Sequence, residues 1–132
     1  MSVTVKICGL KTATDVGVVV DAGADAAGFV FAESVRRVSP EEAAEAAQAL
    51  PGNILRVAVM KHPSDTEWRS VLETFGPDVL QTDAEDYAAL DVPDDVRRWP
   101  VFREGRIADT AAMPAEFLYD CLLYTSPSPR DA

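Results

Sequence analysis

Histidine and cysteine are nearly absent from this chain, as are basic clusters, long apolar runs and glycine-rich phosphate loops. A lone histidine, His62, cannot anchor a His-rich metal site. The two cysteines, Cys8 and Cys121, lie near opposite ends and write neither a disulfide framework nor a CxxC ligand pair. No metal site is therefore expected. Twelve Lys and Arg face 22 Asp and Glu, a net charge of −10, with basic residues scattered singly apart from Arg36-Arg37 and Arg97-Arg98. Phosphate-backbone binding needs a basic face, so nucleic acid is excluded as a partner. No apolar run approaches the length that crosses a bilayer, and the start MSVTVKICGL lacks the basic and apolar regions of a secretory signal. The expectation is a cytoplasmic protein without a membrane partner.

What is present is an alternation. With 48% apolar and 26% charged residues, 132 residues suffice for one folded domain. The runs VTVKIC, AAGFVF, LRVAVM, DVLQT, PVFRE and EFLYD read as six strands, most of them apolar on both faces. Between them lie helical periods with written starts. Thr12 with Asp15, Ser39 with Glu42, and Ser64 with Glu67 each have the spacing of a capping box, and Pro40 suits a first helical position. Behind these starts run the stripes Val16-Val19-Val20, Ala43-Ala46-Ala47-Leu50 and Trp68-Val71-Leu72-Phe75, stopped at Gly23, Pro51-Gly52 and Gly76-Pro77. Trp68 and Phe75 are core by this reading. Two weaker helical segments are expected near AEDYAAL and RIADTAAM, with Asp83 as the cap of the first.

Strict alternation predicts parallel strands joined by right-handed crossovers, an α/β fold. An open doubly wound sheet and a (β/α)8 barrel compete. CGLKTATD contains neither GxGxxG nor a P-loop lysine, which favours the barrel. Reactive residues of a barrel sit where strands end. Cys8, Arg36, Asp83 and Asp120 all occupy such positions.

The blocks VKICGL, GADAAGFVFAESVRRVSPEEA, LRVAVM and DVLQTDAED, in this order and spacing, resemble phosphoribosylanthranilate isomerase of tryptophan biosynthesis, a single-domain (β/α)8 barrel. The resemblance implies a cofactor-free Amadori rearrangement of N-(5'-phosphoribosyl)anthranilate, a small phosphosugar substrate. It places the general base on Cys8, the general acid on Asp120 and the contact to the anthranilate carboxylate on Arg36, with further substrate contacts at Gln81 and Asp83. One departure is visible. The family's Q-L-H-G after the fourth strand stands here as Gln81, Thr82, Asp83 and Ala84. The chemistry accounts for these residue types: one group must protonate the ribose ring oxygen while another removes the C2' proton.

Residues 1–120 are accordingly expected to be the N-terminal part of one barrel, truncated to about six β/α units. Residues 121–132, containing CLLYTSPSPRD, resemble the translation of a sequencing adaptor and are expected to be a non-native, disordered tail. A chain of this extent is expected to be inactive alone. Two other readings follow from the same residues: a different ribulose-phosphate-binding barrel enzyme, and a non-catalytic half-barrel interaction module.

Overall fold

A computed structural model of the chain describes residues 4–103 and 118–120. Its strands are β1 (Lys6–Cys8), β2 (Ala26–Val30), β3 (Leu55–Val59), β4 (Val79–Asp83), β5 (Arg97–Arg103) and β6 (Leu118–Asp120), and helices α1 (Ala13–Asp21), α2 (Pro40–Ala47) and α3 (Asp65–Thr74) connect the first four. All neighbouring strands pair in parallel, in the order β1-β2-β3-β4-β5-β6. A doubly wound sheet reverses its strand order at a switch point. No reversal occurs among the described strands, so the winding is that of a barrel wall.

Each predicted capping box is made. The hydroxyls of Thr12, Ser39 and Ser64 accept from the backbone N–H of Asp15, Glu42 and Glu67, whose carboxylates bond back to the N–H of the cap residue. Behind the caps, Val16 and Val19 of α1, Ala43, Ala46 and Ala47 of α2, and Trp68 and Val71 of α3 pack on Ala27, Phe29, Ala58 and Leu80, the outward-facing residues of β2, β3 and β4. Phe75 stands edge-on to Phe29, ring centroids 5.2 Å apart. Alternation sends Ala26, Val57 and Val79 to the other side, where they form a second, inner cluster with Leu55, Val59 and Trp99. The helices thus cover the outside of a wall whose inner face belongs to the site.

Two expectations need correction. The segment after β4 forms a 3-10 helix, Ala84–Ala89, and Asp83 occupies its cap position without a side-chain cap bond. The Tyr87 hydroxyl bonds back to the carbonyl of Leu80, and Asp86 is drawn to His62 and Thr82, so this short turn is pinned tightly against β4. Second, β5 begins at Arg97, three residues before PVFRE. Pro100 argues against a strand continuing through it, yet it pairs in register with Thr82. The RIADTAAM segment and the tail lie outside the described residues. Among the described residues no helix is long and apolar enough to cross a membrane.

The caps predict an acid-side dependence of stability. Hydrogen bonds from the backbone N–H of Lys11, Ser39 and Ser64 hold Asp15, Glu42 and Glu67 below the ordinary carboxylate range. A group with a depressed folded pKa contributes stability above its unfolded pKa, about 4, and loses it as pH falls through the lower folded value. Urea midpoints should therefore decline below about pH 4, and the decline should be shallower in Glu42→Gln and Glu67→Gln. Ser64→Ala should cost about 1 kcal/mol at neutral pH.

Candidate active site

The chemistry-bearing side chains gather at the C-terminal ends of the strands. Ile7 packs into the outer core, so Lys6 and Cys8, one residue to either side, face inward. Cys8 ends β1 and is exposed. Its neighbour in register is Gly28, where a Cβ would lie 3.1 Å from the Cys8 sulfur. The glycine leaves the thiol its space.

Gly9 then turns the chain with φ +86°, and its N–H bonds the carbonyl of Gly28 at 3.0 Å. Arg36, on the loop after β2, lies directly over it. A Cβ on Gly9 would come within 2.6 Å of Arg36 Cδ. The structure thus seats Arg36 against Gly9, the residue that follows Cys8. Gly9→Ala should cost about 1–3 kcal/mol from the left-handed backbone and displace Arg36. Urea denaturation checks the first effect, and the Arg36 side-chain NMR resonances check the second.

Gln81 reaches the same face. Its Oε1 accepts a hydrogen bond from Lys6 Nζ, although β1 and β4 are three strand spacings apart, about 14 Å on a flat sheet. Curvature of the wall makes such a bond attainable. Burial lowers the Lys6 pKa and the charge of Cys8 opposes that shift, which places an ammonium in the electrostatic reach of the thiol. Sequence reasoning left Lys6 out of the site. Its i, i+2 relation to Cys8 in a strand was the available signal.

Asp83, only 5% exposed at the end of β4, faces a partner that sequence reasoning did not foresee. His62, on the loop after β3, places Nε2 3.4 Å from Asp83 Oδ2 and Nδ1 2.7 Å from Asp86 Oδ1. Its backbone N–H also bonds Asp86 Oδ2, in a left-handed conformation of φ 46°. The bond to Asp86 raises the His62 pKa, with the charges of Asp86, Asp83 and Glu85 adding to it. Burial pushes Asp86 up, but hydrogen bonds from His62 and Thr82 outweigh it and hold the carboxyl below its ordinary value. Where the Q-L-H-G pattern has a histidine, this chain has a carboxylate facing an imidazole from the adjacent loop.

Asp120 ends β6, in register with Arg103. Its backbone therefore stands at the same rim as Cys8 and Asp83; its side chain lies outside the description. A cavity of about 560 Å³ lies elsewhere, between α2 and α3, against Phe31, Val38, Met60 and Val71. It is on the outer face, and Glu42 and Glu67 at its edge are engaged in capping. The inner rim gathers Lys6, Cys8, Gln81 and Asp83 and is the better candidate.

The sequence model of N-(5'-phosphoribosyl)anthranilate (PRA) isomerase matches residues 5–121. The chain belongs to that family. The PRA isomerase of Listeria monocytogenes serotype 4b is 43% identical over 84 residues, 64% of this chain and 42% of the relative. That of Listeria welshimeri is 38% identical over 108 residues, 80% of this chain and 53% of the relative. Among solved structures, a PRA isomerase in complex with reduced 1-(o-carboxyphenylamino)-1-deoxyribulose 5-phosphate has a TM-score of 0.65 at 27% identity, covering 77% of this chain and 54% of that one. The Thermotoga maritima PRA isomerase has a TM-score of 0.61 at 28% identity, over 77% and 50%. The chain spans about half the length of the PRA isomerases it matches.

Proposed function

We propose that this chain supplies the acid, the base and the anthranilate contact of a cofactor-free PRA isomerase acting on a small phosphosugar in the cytoplasm. The observation that carries the reading is Arg36 lying over Gly9 beside Cys8, at the open end of the inner face. In the proposed reaction Asp120 protonates the ribose ring oxygen as the C1'–O bond breaks, leaving an imine between C1' and the anthranilate nitrogen. Cys8 removes the C2' proton, and the electron pair shifts to give an enamine with a double bond between C1' and C2'. Return of a proton to C1' and loss of one from the C2' hydroxyl complete the ketone, so the substrate is rearranged with no net gain or loss of atoms. Arg36 presents a planar fork that matches the anthranilate carboxylate. Gln81 and Asp83 contact the sugar from β4.

The test is to append to Asp120 the segment of the Thermotoga maritima enzyme that follows the matched part, and to follow anthranilate fluorescence as phosphoribosylanthranilate is consumed. The chimera should convert the substrate with no added cofactor. Remote phosphate binding helps to position reacting carbons, so the 132-residue chain alone should be far slower. A folded chimera without turnover contradicts the proposal.

A further inference from the structure

We propose that Lys6 is a positioning residue for Cys8: its ammonium, steered along the inner face by Gln81, pairs with the thiolate that takes the C2' proton. The role rests on Cys8 being the base, as proposed above. Through the pairing of β1 to β4, Lys6 shares a row of the wall with Leu55, Cys8 with Val57 and Gln81 with Val59. Lys6 Nζ donates to Gln81 Oε1. The lysine side chain therefore starts one inward position below Cys8 and is anchored one inward position above it, so it rises past the level of the thiol. The neighbouring strand holds Gly28 at that level, so no side chain of β2 screens one from the other.

A cysteine base works as its anion, and a cation nearby raises the fraction of thiol in that form. Few other charges face Cys8. Near its row, β2 and β3 turn only Ala26, Gly28, Leu55, Val57 and Val59 inward, and none of these titrates. Lys11 and Arg36, on the loops after β1 and β2, lie within electrostatic reach of Glu42 and Asp15, and Arg36 is given to the anthranilate carboxylate. Asp83 on β4 is paired with His62, and Arg97 stands on β5, four strands from β1. Lys6 itself is half-buried, and among the described residues no carboxylate pairs with it. Its bond to Gln81 supplies a neutral oxygen, which fixes the ammonium without cancelling its charge. Burial works against that charge, and the charge of Cys8 works for it. Coupling between two sites is reciprocal, so the ammonium favours the thiolate as much as the thiolate favours the ammonium.

The experiment is alkylation of the 132-residue chain by iodoacetamide in a Cys121→Ser background, where Cys8 is the only thiol. Lys6→Met should react about 3- to 10-fold more slowly at about pH 7, the effect of removing one nearby unit charge. It should match its parent within about twofold at about pH 9.5, where ordinary thiols are ionised. Lys6→Arg keeps the charge and should recover most of the lost rate. Gln81→Glu keeps the shape but offers the ammonium a carboxylate, so it should also slow the neutral reaction. Far-UV circular dichroism shows that each variant is folded. In the chimera, kcat/KM of Lys6→Met should fall by a similar factor at neutral pH and recover in alkali, a profile that loss of packing alone would not produce. Alkylation indifferent to Lys6→Met at neutral pH, or a deficit that persists unchanged in alkali, overturns the proposal, and neither outcome depends on turnover. A folded chimera without turnover overturns the role of Cys8 itself, and is told apart from those outcomes by alkylation that still depends on Lys6.

Discussion

Cys8→Ser, in the chimera that carries a relative's C-terminal segment, is expected to lower kcat for phosphoribosylanthranilate by 10² to 10⁴ while leaving KM within a few-fold. That range is what one positioned general base contributes. The hydroxyl keeps nearly the shape of the thiol and fits the space that Gly28 leaves for it, so binding and folding are preserved. What is lost is the anion that takes the proton, because a serine hydroxyl ionises far less readily than a thiol. Arg36→Met should show the opposite pattern, with KM rising more than kcat falls, because the proposed guanidinium contact to the anthranilate carboxylate is the same in substrate and transition state. Steady-state kinetics on the two variants separates these roles. A Cys8→Ser chimera within threefold of its parent contradicts the assignment of Cys8 as base.

Trp68→Ala is expected to cost about 3–5 kcal/mol of stability, a large part of the 5–15 kcal/mol typical of a domain. Trp68 is 1% exposed and, among the described residues, heads the fully buried side chains in volume. It joins α3 to the sheet and, through Nε1 donating to the Asp91 carbonyl at 2.9 Å, to the segment that leads into β5. Truncation to alanine leaves a cavity in the outer core and removes that donor. Trp68→Phe keeps most of the volume and should lose about 1–3 kcal/mol. Urea denaturation followed by far-UV circular dichroism measures both. A loss below 1 kcal/mol for the alanine variant contradicts the placement of Trp68 at the centre of the helix layer.

The contrast between what the residues disclose and what they conceal follows the range of the interactions. Each capping box joins residues three apart, so Thr12, Ser39 and Ser64 announce their helices without any knowledge of the sheet. The inward direction of Lys6 and Cys8 follows from period-two alternation, and a strand end is where a barrel places its chemistry. The bond from Lys6 to Gln81 joins residues 75 apart, and that from His62 to Asp86 residues 24 apart. Both depend on curvature and on loop paths that no local pattern encodes. Asp83 shows the consequence. Its position before a helical segment reads as a cap, yet its carboxylate lies against an imidazole supplied by another loop. Arg36 was legible through the family pattern, but its seat over Gly9 requires the positive φ of that glycine and the close approach of two loops.

The most direct test of the central claim is to map where the reduced product analogue, 1-(o-carboxyphenylamino)-1-deoxyribulose 5-phosphate with its keto group reduced, touches the ¹⁵N-labelled chimera. Amide shifts are expected to concentrate at Cys8, Gly9, Gly28, Arg36, Gln81 and Asp83, on the rim where β1, β2 and β4 end. Shifts concentrated between α2 and α3, around Val38, Thr66 and Ser70, would contradict it, as would an analogue that leaves the Cys8 rim untouched.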